Sequence, residues 1–296
     1  MRVLAFAESA APAAAFAAAL GAACEVIDVH RFPDGESRLR LPPALDADVI
    51  VYRSLDRPNG KLVELLLAAQ TARELGARRL TLVAPYLCYM RQDAAFAPGE
   101  AVSQRIVGRF LAGLFDALVT VDPHLHRVAT LAEAVPLAAA IAVSAAPAMG
   151  RFLAARGARP LLVGPDAESE QWVRAVAAPA RLDAVIAHKT RRGDRDVHVH
   201  LPARDYGGVD AVLVDDVASS GETLAVAARA LRDAGARRVD ALVTHALFAA
   251  DAIERLQRAG VTDVWSSDSI PHASNAFALA LLLADAVATA SGRSTR

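Results

Sequence analysis

Cysteine, lysine and any excess of charge are what this sequence has least of. Only Cys24 and Cys88 occur in 296 residues. Two thiols so far apart build neither a disulfide framework nor a zinc site, and they suit a reducing cytoplasm, the expected location. Lys+Arg total 32 against 33 Asp+Glu, a net charge of −1. Without a basic excess no counterion release is available to hold nucleic acid, so a DNA- or RNA-coating role is not expected. No uninterrupted apolar run reaches the roughly 18 residues of a membrane span, so no membrane partner is expected. The Ala-rich start, Arg2 to Ala23, is broken by Glu8 and lacks the continuous apolar core of a secretory signal.

What is present is a globular composition, 54% hydrophobic and 22% charged, long enough for two domains of ~100–200 residues each. Alanine supplies 68 residues, which favours helices but blurs hydrophobic periodicity. Lysine occurs only at Lys61 and Lys189 in a chain that otherwise uses Arg, so each invites a reason. Short β-branched or Leu-rich runs at 2–6, 24–29, 48–53, 79–84, 117–121, 160–164, 183–187, 210–214, 239–244 and 262–266 read as strands. Helical stretches lie between many of them, at 11–20, 59–76, 102–114, 145–156, 168–178, 222–235 and 249–259, and Gly76, Gly235 and Gly260 stand where a helix C-cap would. This alternation predicts parallel sheets with helices on both faces. The segment 183–201 departs from it and reads as a hairpin or loop. "LGARRLTLVAPY" at 75–86 echoes "AGARRVDALVTH" at 234–245, which suggests two similar halves, placed at 1–145 and 146–290.

The most specific motif is "VLVDDVASSGETL" at 212–224. A buried strand ends in Asp215 and Asp216, followed by a small-residue loop and a helix. Ligands bind at such strand ends in open α/β sheets. Ser219, Ser220, Gly221 and Thr223 offer backbone N–H groups and hydroxyls at a helix N-terminus, which favours phosphate. The paired carboxylates can accept from vicinal sugar hydroxyls. The plainer alternative is an ordinary strand–loop–helix with capping side chains.

This segment resembles the phosphoribosyl diphosphate (PRPP) loop of type I phosphoribosyltransferases and PRPP synthetases. "APYLCYMRQDAAFAPGEAVS" at 84–103 and "VTVDPHLHR" at 119–127 resemble the PRPP synthetase pattern, in its archaeal-like variant. The resemblance implies two phosphoribosyltransferase-like α/β domains, each a mostly parallel doubly wound sheet flanked by helices. It implies transfer of the βγ-diphosphoryl group of ATP to the 1-hydroxyl of ribose 5-phosphate, with Mg²⁺, in a homo-oligomer whose ATP site lies at a subunit interface. Arg91 and Gln92 then contact ATP; by residue chemistry alone, Arg91 and Asp93 could equally be a solvated ion pair. His124 matches the family histidine near the ATP phosphates and metal, and His126 beside it leaves a His-x-His reading open. "VHRFPDGESRLRLP" at 29–42 resembles the segment that completes a neighbour's adenine pocket, implying Phe32, Asp34 and Glu36; by itself Pro33-Asp34-Gly35 signals a turn.

In "LLVGPDAESEQWV", Asp166 matches the metal-associated Asp, and its alternative role is helix capping. In "AHKTRRGDRDVHV", Lys189 and Arg191 share a face if the segment is extended, and the resemblance assigns them to the transferring diphosphoryl group. The sequence departs from the family at Ser220 (commonly Thr), at Glu222 (commonly Gly), and in the Ala-Glu-Ser after Asp166. A phosphoribosyltransferase that consumes PRPP and an inactive regulatory homologue are the rival readings.

Overall fold

The structure is a computed structural model that describes residues 1–125, 127–157, 159–192 and 196–290. His126 and Arg195 lie outside the described residues. The chain forms two compact units. The first comprises Met1–Ser144 together with the segment from Leu279 onward; the second is Ala145–Ala278.

In chain order the first unit runs β1 (Arg2–Ala5), α1 (Ala10–Leu20), β2 (Ala23–Val26), a hairpin of β3 (Asp28–Arg31) and β4 (Ser37–Arg40), then β5 (Asp48–Tyr52) and α2 (Pro58–Glu74). It continues with β6 (Arg79–Ala84), α3 (Ser103–Ala112), β7 (Ala117–Val121), α4 (Leu131–Ala134) and β8 (Ala139–Val143). One parallel sheet has the order β2-β1-β5-β6-β7-β8. Every residue of β7 is buried, as expected of a strand covered by helices on both faces.

The second unit runs α5 (Ala146–Ala155), β9 (Leu161–Gly164), α6 (Glu170–Ala180), β10 (Ala184–Ile186), a hairpin of β11 (His188–Arg192) and β12 (Asp196–His200), then β13 (Asp210–Ala218), α7 (Glu222–Asp233) and β14 (Arg238–Ala246). It closes with α8 (Ala252–Arg258), β15 (Val264–Ser267) and β16 (Asn275–Phe277), and its sheet has the order β10-β9-β13-β14-β15-β16. Strand for strand this is the order of the first sheet, with a hairpin inserted at the same point of the chain in each. The echo between 75–86 and 234–245 is explained by it, since α2–β6 and α7–β14 occupy equivalent places.

Two expectations are corrected. The second half does not extend to 290: the final helix, α9 (Ala280–Ala290), packs on α1 and beside β7 and β8 in the first unit. Its apolar face (Leu283, Ala284, Val287) is buried there, and small side chains on α1, with Ala13, Phe16 and Ala17 buried, allow the two helices to approach. The expected strand at 210–214 runs on to Ala218, because β14 continues the ladder as far as Val217↔His245 and Ala218↔Ala246. Asp215 and Asp216 are therefore strand residues.

Packing in the first unit is closest at Gly108 on α3. A Cβ there would lie 1.8 Å from the carbonyl oxygen of Ala134 on α4. Gly108→Ala forces the two helices apart, and overpacking of this kind costs about 1–3 kcal/mol or more. Thermal unfolding of the variant is expected to show a clearly lowered melting temperature; an unchanged one would mean that α4 yields freely.

Candidate active site

The C-terminal end of β13 sets the first group of side chains. Asp216 is buried, and its N–H donates to Asp215 Oδ1 at 3.0 Å. The Asp215 carboxyl is raised well above its usual value by burial and then by repulsion from Asp216 and Asp166. Asp166, after β9, thus lies within electrostatic reach of the Asp215 carboxyl at the end of β13, and like charges so placed favour a cation or a hydroxyl-rich ligand nearby. Asp166 also accepts from the Glu168 N–H at 3.2 Å, so the capping role expected as its alternative is real and coexists with its place in this cluster.

Beyond β13 the chain turns at Ser219-Ser220-Gly221 into α7. Gly221, at φ 72°, occupies the left-handed region that favours glycine and caps the helix. Ser219 and Ser220 are exposed, and the Ser219 carbonyl accepts from the Ala249 N–H at 3.0 Å, which ties the loop to the end of β14. Ser220 Oγ accepts from the Glu222 N–H at 3.4 Å. Together with Thr223 in the first turn, this loop presents hydroxyls and backbone donors at a helix N-terminus. Glu222 would oppose an anion there, but Arg255 on α8 pairs with its carboxylate at 2.6 Å and Arg229 lies at 3.6 Å. The departure at this position is thereby offset by a cation that sequence reading did not pick out.

The hairpin β11–β12 confirms that 183–201 contains antiparallel strands rather than a helix. Lys189 and Arg191 occupy alternate positions of β11, opposite Val199 and Val197.

The first unit carries the other group. In the β3–β4 hairpin the turn 32–36 is closed by the Phe32 N–H donating to the Glu36 carbonyl at 2.8 Å. Gly35 sits at φ 93°, and Asp34 Oδ1 accepts from the Glu36 N–H at 3.1 Å. The Phe32 ring stacks edge-on with His30 at 4.7 Å and is 40% exposed, so the turn projects it as the sequence suggested.

After β6, the segment 85–93 is pinned from below. Met90 is buried, its carbonyl accepts from Gln104 of α3 at 3.1 Å, and Tyr89 adopts φ 61°. Asp93 is buried and accepts from both the backbone and the guanidinium of Arg127, at 3.1 and 2.5 Å. The alternative Arg91–Asp93 pair does not form. Asp93 is committed to Arg127, and among the described residues Arg91 makes no ion pair and stands exposed beside the half-buried Gln92. The same Asp93–Arg127 bond links this segment to the loop after β7 that carries His124. That loop leaves β7 through Asp122 at φ 36°. Tyr89 and Asp122, both non-glycine residues at positive φ, lie two residues before Arg91 and His124, a placement typical of strained functional loops.

Lys61, the second lysine, is a brace: its Nζ donates to Asp56 at 2.7 Å and to the Ser54 carbonyl at 2.8 Å. Sequence reading missed Arg127, Arg255 and the buried Arg53. The last had a signal, a lone charge following the apolar run "VIVY".

Comparison with known proteins identifies the family. Residues 1–114 match the model of the N-terminal domain of ribose phosphate pyrophosphokinase, and residues 133–279 match the phosphoribosyl transferase domain. The ribose-phosphate pyrophosphokinase of Methanopyrus kandleri is 38% identical over 99% of this chain and 100% of its own length. That of Thermococcus kodakarensis is 33% identical over 85% and 88%. The crystal structure of phosphoribosylpyrophosphate synthetase from Mycobacterium smegmatis superposes with a TM-score of 0.82 over 99% of this chain and all of its own, at 24% identity. That likeness confirms the two-domain phosphoribosyltransferase-type fold. With both domain models matched in order and relatives at this identity spanning the full length, the chain belongs to the ribose-phosphate pyrophosphokinase family.

Proposed function

We propose that the protein is a ribose-phosphate diphosphokinase, converting ATP and D-ribose 5-phosphate to AMP and 5-phospho-α-D-ribose 1-diphosphate. The observation that carries this reading is the end of β13, where two carboxylates lead into a hydroxyl-lined loop at the N-terminus of α7. The loop 219–223 holds the 5-phosphate, and Asp215 and Asp216 hold the ribose ring. Arg91, Gln92 and His124 hold ATP, with Phe32, Asp34 and Glu36 completing the adenine pocket of a neighbouring subunit. The 1-hydroxyl oxygen bonds to the β-phosphorus while the bond from that phosphorus to the α-phosphate oxygen breaks, and the hydroxyl proton leaves to solvent. Little covalent chemistry falls to the protein, so positioning and charge stabilisation dominate, with Lys189 and Arg191 assigned to stabilising the transferring group.

The donor set fits Mg²⁺. Among the described residues no three metal-ligating side chains form a cage. Mg²⁺ usually takes one or two carboxylates and fills its shell with water and substrate phosphates. Asp166 would hold it, with His124 serving the ATP phosphates and metal, and the repulsion between Asp215 and its acidic neighbours supports a cation there. Bound there, Mg²⁺ would neutralise phosphate charge. The working form is a homo-oligomer in the cytoplasm.

Release of AMP from ATP and ribose 5-phosphate by the purified protein, with no nucleobase added, tests the assignment; a need for a base and PRPP would mean a phosphoribosyltransferase. A finer test uses Arg255, which touches neither substrate. Arg255→Ala leaves the Glu222 carboxylate without its closest partner beside the 5-phosphate. The KM for ribose 5-phosphate should rise about three- to tenfold with that for ATP unchanged, and Glu222→Gln in the same chain should restore it.

A further inference from the structure

Two buried charges of the first unit, Arg53 and Glu64, meet beneath the base of the β3–β4 hairpin. Arg53, directly after β5, is fully buried with its guanidinium 3.6 Å from the centre of the Phe6 ring. It donates to Glu8 at 2.8 Å, to the Lys61 carbonyl at 3.2 Å, and to Oε2 of Glu64 on α2. Glu64 is only 2% exposed. Its other oxygen, Oε1, accepts from Arg31 Nε at 3.0 Å and from Ser37 Oγ at 3.1 Å.

Arg31 and Ser37 are the last cross-strand pair before the turn. Everything between them is the segment carrying Phe32, Asp34 and Glu36. A two-stranded hairpin is marginal alone, and this one stands outside the main sheet, so its orientation depends on what grips its base. Burial pushes the Glu64 carboxyl up, but hydrogen bonds from Arg53, Arg31 and Ser37 outweigh it and hold the group below its usual value. The anchor is therefore charged at neutral pH. Arg53 fixes one oxygen and so aims the other, which leaves a single carboxylate shared between the core and the two residues flanking the turn.

We propose that Glu64 is a positioning residue for nucleotide binding, holding the 32–36 turn in register through Arg31 and Ser37 while Arg53 locks its orientation. The proposal rests on the reading that this turn contacts ATP. Glu64 itself is a poor test position, because removing it strands buried Arg53 and endangers the fold. Arg31→Ala combined with Ser37→Ala removes only the hairpin-side bonds and keeps the buried pair.

The double variant should raise the KM for ATP about tenfold while kcat and the KM for ribose 5-phosphate stay within about twofold, the scale set by lost hydrogen bonds to a charged group. Arg31→Lys, with Ser37 intact, should recover most of the ATP affinity. Phe32→Ala is measured alongside. If Phe32→Ala raises the KM for ATP and the double variant does not, Glu64 plays no positioning role although the turn still reads the nucleotide. If neither variant raises it, the turn is no nucleotide site and the proposal falls with that reading. A double variant in which melting temperature, kcat and both KM values worsen together would show a general structural brace and overturn the proposal equally.

Discussion

Lys189→Ala is expected to lower kcat by about 10²-fold or more, with the KM for ATP changed far less. Lysine occurs only at positions 61 and 189 in a chain that otherwise uses arginine. Lys61 is accounted for by its bonds to Asp56 and Ser54, and Lys189 is the other. It lies on β11, in the hairpin that follows β10, just as the hairpin carrying Phe32 follows β2. A compact ammonium aimed at charge that develops on the transferring group acts mainly in the transition state, so its loss appears in kcat rather than in ground-state binding. Lys189→Arg keeps the charge but changes its shape, and an intermediate kcat is expected. Steady-state kinetics with each substrate varied in turn decides the matter: a Lys189→Ala protein with unchanged kcat removes this residue from the chemistry.

The parts of this molecule that sequence conveyed are those where local chemistry and fold agree. "VLVDDVASSGETL" could be read because an apolar run, paired carboxylates and a Gly-containing loop each independently point to a strand end and a helix start. The 32–36 turn was legible because Pro33-Asp34-Gly35 has few other uses. Strand β8, "AAIAV", and helix α9, "ALLLADAVATA", are not legible in the sequence, since alanine is at home in either state and carries no period. That α9 returns to the first unit is a long-range packing choice with no local marker. The same holds for the partners of the site. Asp93 with Arg127 and Glu222 with Arg255 are each separated by more than 30 residues, and only the fold brings them together. Residue type pointed to candidate charges for the chemistry, whereas the charges that hold those residues in place came from elsewhere in the chain.

Asp215→Asn is expected to lower activity by at least about 10²-fold and at the same time to raise the melting temperature of the metal-free protein. Asn keeps the Oδ1 acceptor for the Asp216 N–H, so the local backbone bond survives. What it removes is a carboxylate that burial and two like-charged neighbours, Asp216 and Asp166, make costly to ionise. A carboxyl whose pKa is higher in the folded chain than in the unfolded one costs stability as pH rises from its usual 3.8 through the raised value, and the cost is complete above it. With the metal chelated, the variant should therefore melt above the parent at neutral pH, by about 2–4 °C for each kcal/mol of repulsion relieved. The gap should close as pH is brought below the usual carboxylate range, where Asp215 is protonated in both states. Adding Mg²⁺ should stabilise the parent more than the variant, because a bound cation offsets the repulsion that Asn has already removed. A variant that loses activity but melts below the parent under all these conditions would mean that the carboxylates at the end of β13 stabilise the resting fold. The site would then have to select the ribose by some means other than a cluster of charge held ready for its ligands.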